Sequence, residues 1–130
     1  MRLDQTLFGT TFQNPVLLAS GTCGYGEDLD GTIDIDRPGG LVTKAVTVEP
    51  RSGNAAPRVA EFAAGMLNSI GLANAGLEAV RDEKLPWLAR RLRRARVFVN
   101  VAGREAREYG TIVAALHAAE GFVGFELNVS

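Results

Sequence analysis

An α/β fold built on a parallel sheet follows from three features of this 130-residue sequence. Four short runs, PVLLASG, GGLVTKAVTV, RVFVNVAG and GFVGFELNVS, are apolar almost without interruption, as strands covered on both faces are. Helical periodicity fills the gaps between the later runs. Turn residues bound each run: the 15 glycines are about 12% of the chain against a usual ~7%, and many adjoin apolar segments where backbones must approach closely.

The chain opens on LDQTLFGTTFQNP, which reads as a small hairpin turning at Gly9, ahead of the first core strand. After the second strand comes a long segment, Glu49 to Gly76. A connection from strand to helix commonly takes ~2–6 residues, so this one is expected to be an ordered insertion over a site. Phe62, Met66, Leu67, Ile70 and Leu72 are its anchors, more than a disordered loop would hold. Helical patterns follow: Ala75 to Lys84 carries Leu77 and Val80, and LPWLARRLRRA continues with Leu85, Leu88 and Leu92. Pro86 suits the first turn of a new helical piece. In REAREYGTIVAALHAAE, Tyr109, Ile112, Val113 and Leu116 recur at i, i+3, i+4 and i+7, one apolar stripe, and Gly121 follows as a stop. The order strand, strand, helix, strand, helix, strand implies βαβ units with right-handed crossovers.

Composition excludes several classes. Hydrophobic residues are 46% and charged residues 22%, with a net charge of −1; that is a folded globular chain with no global field toward nucleic acid or an anionic membrane. The N-terminal stretch has no apolar signal-like core, and no run approaches ~18 apolar residues, so neither a signal peptide nor a transmembrane helix is expected. One cysteine, Cys23, precludes an internal disulfide and fits a cytoplasmic setting. One His and one Cys give no metal-ligand spacing, no Ser-His-Asp triad is supported, and GTCGYG lacks the glycine order of the dinucleotide fingerprint.

Polar residues punctuate the strand ends. Lys44 interrupts LVTKAV, Asn100 interrupts VFVNVAG, Asn128 follows FEL, and the first strand ends in Ala19-Ser20-Gly21. In a parallel α/β barrel the strand C-termini share one face, where the active site sits. A buried lysine needs an anion or a strong acceptor, and asparagine offers a donor and an acceptor without charge. One cation among neutral amides suits a flat polar heterocycle that gains negative charge during reaction, such as a reduced flavin. Each residue also has an ordinary reading: Lys44 as an edge-strand lysine, the asparagines as turn formers, Cys23 as a small buried residue, His117 as a partly solvated helical residue, and Arg90, Arg91, Arg93, Arg94 and Arg96 as a solvated face.

The segments NPVLLASGTCGYGEDL, GGLVTKAVTVEPRSGNAAPRVAE, GMLNSIGLANAG, EKLPWL and FELNVS together resemble the dihydroorotate dehydrogenases, flavin enzymes of pyrimidine biosynthesis. TKAVTVEPR and NSIGLANAG look most like class 1B, the NAD-linked form. The resemblance covers almost the whole chain and implies the first half of a TIM (β/α)8 barrel: an N-terminal hairpin plus four core strands, residues 1–130 forming half of a single FMN-binding domain. It implies that Ala19, Ser20, Gly21, Lys44, Ala45, Asn100 and Asn128 contact FMN. It implies that Lys44, Asn68, Ser69, Ile70, Gly71, Leu72 and Asn128 bind dihydroorotate or orotate, with Lys44 also stabilising charge on the flavin. The catalytic base, a Cys in this class, is expected after Ser130. A homodimer with a partner subunit carrying FAD and an iron–sulfur cluster is also implied. Alternatives are a related FMN-dependent dihydropyrimidine oxidoreductase, or a self-associating half-barrel that at most binds flavin, since unpaired edge strands invite association.

Overall fold

The structure is a computed structural model that describes residues 3–130. Its centre is a four-stranded parallel sheet in the order β3-β4-β7-β8, made of β3 (Leu17–Leu18), β4 (Gly40–Val42), β7 (Arg96–Ala102) and β8 (Gly124–Asn128). The four apolar runs therefore supply its strands, in the expected order and direction, as an open sheet edged by β3 and β8. The register places Leu41 beside Val97 and Asn100 beside Glu126. Gly40 is required by proximity: a Cβ there would lie 2.4 Å from the Arg96 carbonyl oxygen.

Alternation along β7 divides the sheet into two faces. Val97, Val99 and Val101 are buried with Leu41 and Val46 on the face covered by helices, against Val80, Leu85, Leu88, Ile112 and Leu116. Phe98, Asn100 and Ala102 occupy the other face. The N-terminal hairpin, β1 (Gln5–Leu7) and β2 (Thr10–Phe12), turns at Phe8-Gly9 with both residues at positive φ, the geometry of a primed hairpin turn. It closes one end of that second face by stacking Phe12 on Phe98, ring centroids 6.0 Å apart and planes nearly parallel.

The first α-helical region runs without a break through α1 (Leu77–Ala79), a wider π-wound turn (Val80–Lys84) and α2 (Leu85–Arg91). Pro86 stands in the first turn of α2, as its preference predicts, although α2 continues directly from the wider turn before it. Proline has no N–H to donate and crowds the preceding turn; the wider turn, in which the Leu85 N–H reaches the Val80 carbonyl, accommodates it. Helix α3 (Ala106–Leu116) buries Ile112 and Leu116 as its stripe predicts, and His117 is exposed. Arg90, Arg91, Arg93 and Arg94 are exposed, as a solvated face requires; within it Arg91 pairs with Asp30 and Arg94 reaches Asp36, while the half-buried Arg96 donates to the Thr11 carbonyl.

The insertion is ordered but its expected anchors are not buried. It contains a two-stranded antiparallel hairpin, β5 (Val59–Phe62) and β6 (Gly65–Asn68), in which every residue is exposed. Phe62, Met66 and Leu67 stand in solvent. The segment is held by polar contacts instead: Arg58 donates to the Asn54 and Ser52 carbonyls, and Asn54 donates to Ser69.

Asp36 organises the entry to β7. One carboxylate oxygen accepts the backbone N–H groups of Arg93, Arg94 and Ala95 at 3.0, 2.8 and 2.8 Å, joining the turn after α2 to the segment before β4. Burial alone would raise this carboxyl's pKa, but these N–H groups favour the charged form more strongly and hold it below the ordinary range. Because the folded-state pKa is the depressed one, the contribution is complete above the unfolded pKa of about 3.9 and is lost as pH falls through the folded value. Asp36→Ala is expected to lower unfolding stability by about 2–3 kcal/mol at neutral pH. Denaturant melts at descending pH should show the gap between wild type and variant closing below about pH 4; a pH-independent gap would remove the carboxylate from this role.

Candidate functional site

The site is assembled at the C-terminal end of the sheet. Past β4 the ladder continues: Thr43 N–H donates to the Phe98 carbonyl, Val46 N–H to the Asn100 carbonyl and Ala102 N–H to the Val46 carbonyl. This fixes Lys44 and Asn100 on neighbouring strands at the same level. The turn after β3 is drawn across the end of β4: Lys44 N–H donates to the Gly24 carbonyl at 2.7 Å, and the buried Tyr25 hydroxyl donates to the Ala45 carbonyl at 3.2 Å. Cys23 lies 1% exposed beneath it, its thiol against the Val42 carbonyl, where burial raises the thiol pKa. It is a packing residue.

The insertion closes the third side. Asn74 accepts from the Thr47 and Gly76 backbone N–H groups and donates to the Leu72 carbonyl, tying the NSIGL loop to the end of β4. Gly71 and Leu72 both have positive φ. At Gly71 a Cβ would lie 2.8 Å from Asn54 atoms; at Leu72 the left-handed backbone is a strained conformation, costing about 1 kcal/mol or more.

These elements enclose a cleft of about 590 Å³ lined by Ser20, Gly21, Thr22, Lys44, Ala45, Asn68, Ile70, Leu72, Ala73, Asn100 and Asn128. Ala19, Ser69 and Gly71 are not in that lining. The Ala19 carbonyl closes a turn with Thr22, Ser69 is bonded to Asn54, and Gly71 supports the loop from behind. Thr22 and Ala73 line the cleft without having been singled out by sequence. So did Glu126 escape notice: its carboxylate accepts from the Asn100 side-chain amide. The signal for it was present, since Glu126 lies two residues before Asn128 and strand alternation puts both on one face.

The chemistry of the lining is specific. Lys44 is its one charged side chain and, among the described residues, forms no ion pair or side-chain hydrogen bond. Asn128 uses its carbonyl oxygen for Ser130, which leaves its NH2 as a donor. Asn100 is 2% exposed, and its Oδ1 is buried with no partner. A cation, unpaired amide groups, two hydroxyls and apolar Ile70 and Leu72 match a flat heterocycle with carbonyl and N–H edges, and an isoalloxazine ring fits that description. Among the described residues there is no group of three His, Cys, Asp or Glu positioned for a metal ion, and no helix is long and apolar enough to cross a membrane.

Comparison with known proteins identifies the family of the chain. The family model for dihydroorotate dehydrogenase matches residues 2–130. The chain is 45% identical over 129 residues to the catalytic subunit of dihydroorotate dehydrogenase B (NAD(+)) from Streptococcus pneumoniae, covering 99% of this chain and 41% of that protein. It is 49% identical over 128 residues to the corresponding subunit from Endomicrobium trichonymphae, covering 98% and 41%. Against dihydroorotate dehydrogenase A (fumarate) from Lactiplantibacillus plantarum it is 42% identical over 129 residues, covering 99% and 42%. A crystal structure of DHODH from Eimeria tenella in complex with ferulenol superposes with a TM-score of 0.79 at 24% identity, over 99% of this chain and 37% of that one. The chain belongs to the dihydroorotate dehydrogenase family, and it spans about 41% of the length of the curated relatives it matches.

Tyr109 of α3 braces the rim of this site. Its hydroxyl lies against the carbonyls of Gly103, at 3.2 Å, and Asn128, at the ends of β7 and β8. Tyr109→Phe is expected to cost about 1 kcal/mol and to speed amide hydrogen exchange at the end of β8 while leaving β4 unchanged. Uniform acceleration across the sheet, or none, would show that the hydroxyl does not brace these ends.

Proposed function

We propose that this chain forms the N-terminal half of a TIM (β/α)8 barrel that binds FMN and oxidises (S)-dihydroorotate to orotate, the redox step of de novo pyrimidine (UMP) biosynthesis, with the electrons passed on to NAD. The observation that carries the reading is the convergence of Lys44, Asn68, Asn100 and Asn128, from four separate segments, on one cleft at the strand C-termini. Family membership supplies the substrate class, and the active sites of parallel barrels lie at that end.

FMN, when bound, supplies a two-electron acceptor for the hydride leaving C6 of dihydroorotate. Ser20, Gly21, Lys44, Ala45, Asn100 and Asn128 would hold it. Asn68, Ile70 and Leu72 would line the substrate side, with Ser69 and Gly71 shaping the loop behind them and Ala19 supporting the turn after β3. Lys44 is half-buried in the cleft, where a fixed cation is worth more than in water; its role is to neutralise negative charge that grows in the transition state. The NH2 of Asn128 orients a carbonyl of either ring. Ile70 and Leu72 displace water from the reacting face. No carboxylate, imidazole or thiol lines the cleft among the described residues, so none of these lining residues is assigned as the acceptor for the C5 proton.

The NAD-linked assignment rests on the TKAVTVEPR and NSIGLANAG segments and on relatives named for NAD; it carries with it a partner subunit bearing FAD and an iron–sulfur cluster, a homodimeric catalytic core and a cytoplasmic setting. Relatives named for fumarate match at similar identity, so turnover should be assayed with both acceptors. Lys44→Ala in the flavin-loaded protein is expected to lower dihydroorotate turnover by about 10²–10³-fold with little change in melting temperature. Near-wild-type turnover would take Lys44 out of the chemistry. Titration with orotate should perturb the flavin absorbance; an unchanged spectrum would point to a different dihydropyrimidine.

A further inference from the structure

Asn100 presents an unresolved hydrogen-bonding demand, and Glu126 determines its sense. The two residues are directly paired in the β7–β8 register. The Asn100 backbone N–H is satisfied by the Thr43 hydroxyl at 3.2 Å, and its side-chain NH2 donates to a Glu126 carboxylate oxygen. Its Oδ1 is the only buried side-chain nitrogen or oxygen without a partner among the described residues.

A carboxamide is nearly symmetric in shape, and only its neighbours decide which end is the donor. An ionised carboxylate is acceptor-only. It therefore admits the NH2 of Asn100 and rejects the carbonyl oxygen, which would set two acceptors against each other. Glu126 thus removes one of the two orientations, and the carbonyl becomes the end that needs a donor. Lys44, on the other side of Asn100 and in the same cleft, is donor-only. The remaining amides of the lining, Asn68 and Asn128, have no such partner fixing them against a carboxylate.

We infer that Glu126 is a positioning residue: by accepting from the Asn100 NH2 it leaves only the Asn100 carbonyl oxygen for a ligand, and the cleft thereby selects a ring presenting an amide or imide N–H to it. The inference rests on the proposed function only for the identity of that ring, flavin or pyrimidine. An unsatisfied buried acceptor is expensive, and a ligand N–H would relieve it; a ligand lacking that N–H would leave it unrelieved.

The test has two independent arms. In the ligand-free full chain, side-chain amide resonances of Asn100, assigned with Asn100→Ala, should move in Glu126→Gln and Glu126→Ala and be largely retained in Glu126→Asp. Unchanged resonances in all three would overturn the inference. In the second arm, FMN and 3-methyl-FMN, and separately orotate and its ring N-methyl derivatives, are titrated into wild type and Glu126→Gln. Wild type is expected to bind one unmethylated ring at least about tenfold more tightly than its methylated form, and the pair that discriminates identifies the ring. Glu126→Gln, which preserves shape but can itself donate, should lose most of that discrimination. A variant that discriminates as well as wild type, or a wild type that does not discriminate, sinks the idea. Failure of wild type to bind either ring defeats the proposed function instead, and the resonance arm still decides the role of Glu126.

Discussion

The backbone ladder between β4 and β7 is the constraint on which the remainder depends. It is parallel, central in the sheet and continued past the formal end of β4 by the Thr43, Val46 and Ala102 N–H groups. Parallel pairing leaves no freedom to slide by one residue, since that would turn Val97, Val99 and Val101 out of the core and Asn100 into it. The same register that buries the valines therefore delivers Lys44 and Asn100 side by side at the open end. Fold and site are here two faces of one pairing.

What surrounds that pair is arranged to hold loops without filling the cleft. Tyr25 and Asn74 meet the end of β4 from opposite segments, Tyr25 donating to the Ala45 carbonyl and Asn74 accepting from the Thr47 backbone N–H. Both satisfy backbone groups that would otherwise lie unpaired at a strand terminus. Neither contributes to the lining. The polar groups that do line it, Lys44 and the carboxamides, are instead left short of partners within the described residues. Complete satisfaction in the supporting shell and incomplete satisfaction in the lining is the expected division in a site prepared for a ligand.

The sequence made the strands legible because burial on both faces leaves runs of apolar residues that nothing interrupts except the functional side chains. Lys44, Asn100 and Asn128 stood out for that reason. Three things were not legible. Pro86 marks the first turn of α2 as its local preference predicts, but the single wider turn that joins α2 to the helix before it is a tertiary solution that propensity does not encode. Phe62, Met66 and Leu67 promised anchors, but an insertion can be held by Arg58 and Asn54 through backbone carbonyls, and such contacts have no periodic signature. Asp36 lies in DIDRPGG, where acidic and turn residues are ordinary; its three backbone donors come from residues about sixty positions away. Glu126 could have been found from strand alternation, but a carboxylate next to a cation-bearing cleft draws less attention than the amide beside it.

The seclusion of Cys23 has a practical side. Within these 130 residues it is the sole thiol, and it is enclosed under the turn after β3, with its reactive thiolate form disfavoured by burial. The β5–β6 hairpin, by contrast, is open to solvent along its whole length. A cysteine introduced at its tip would carry a fluorophore or spin label with little competition from the native residue. The hairpin adjoining Asn68 could then report, at a single attachment point, how the rim of the cleft responds when a ring is seated in it.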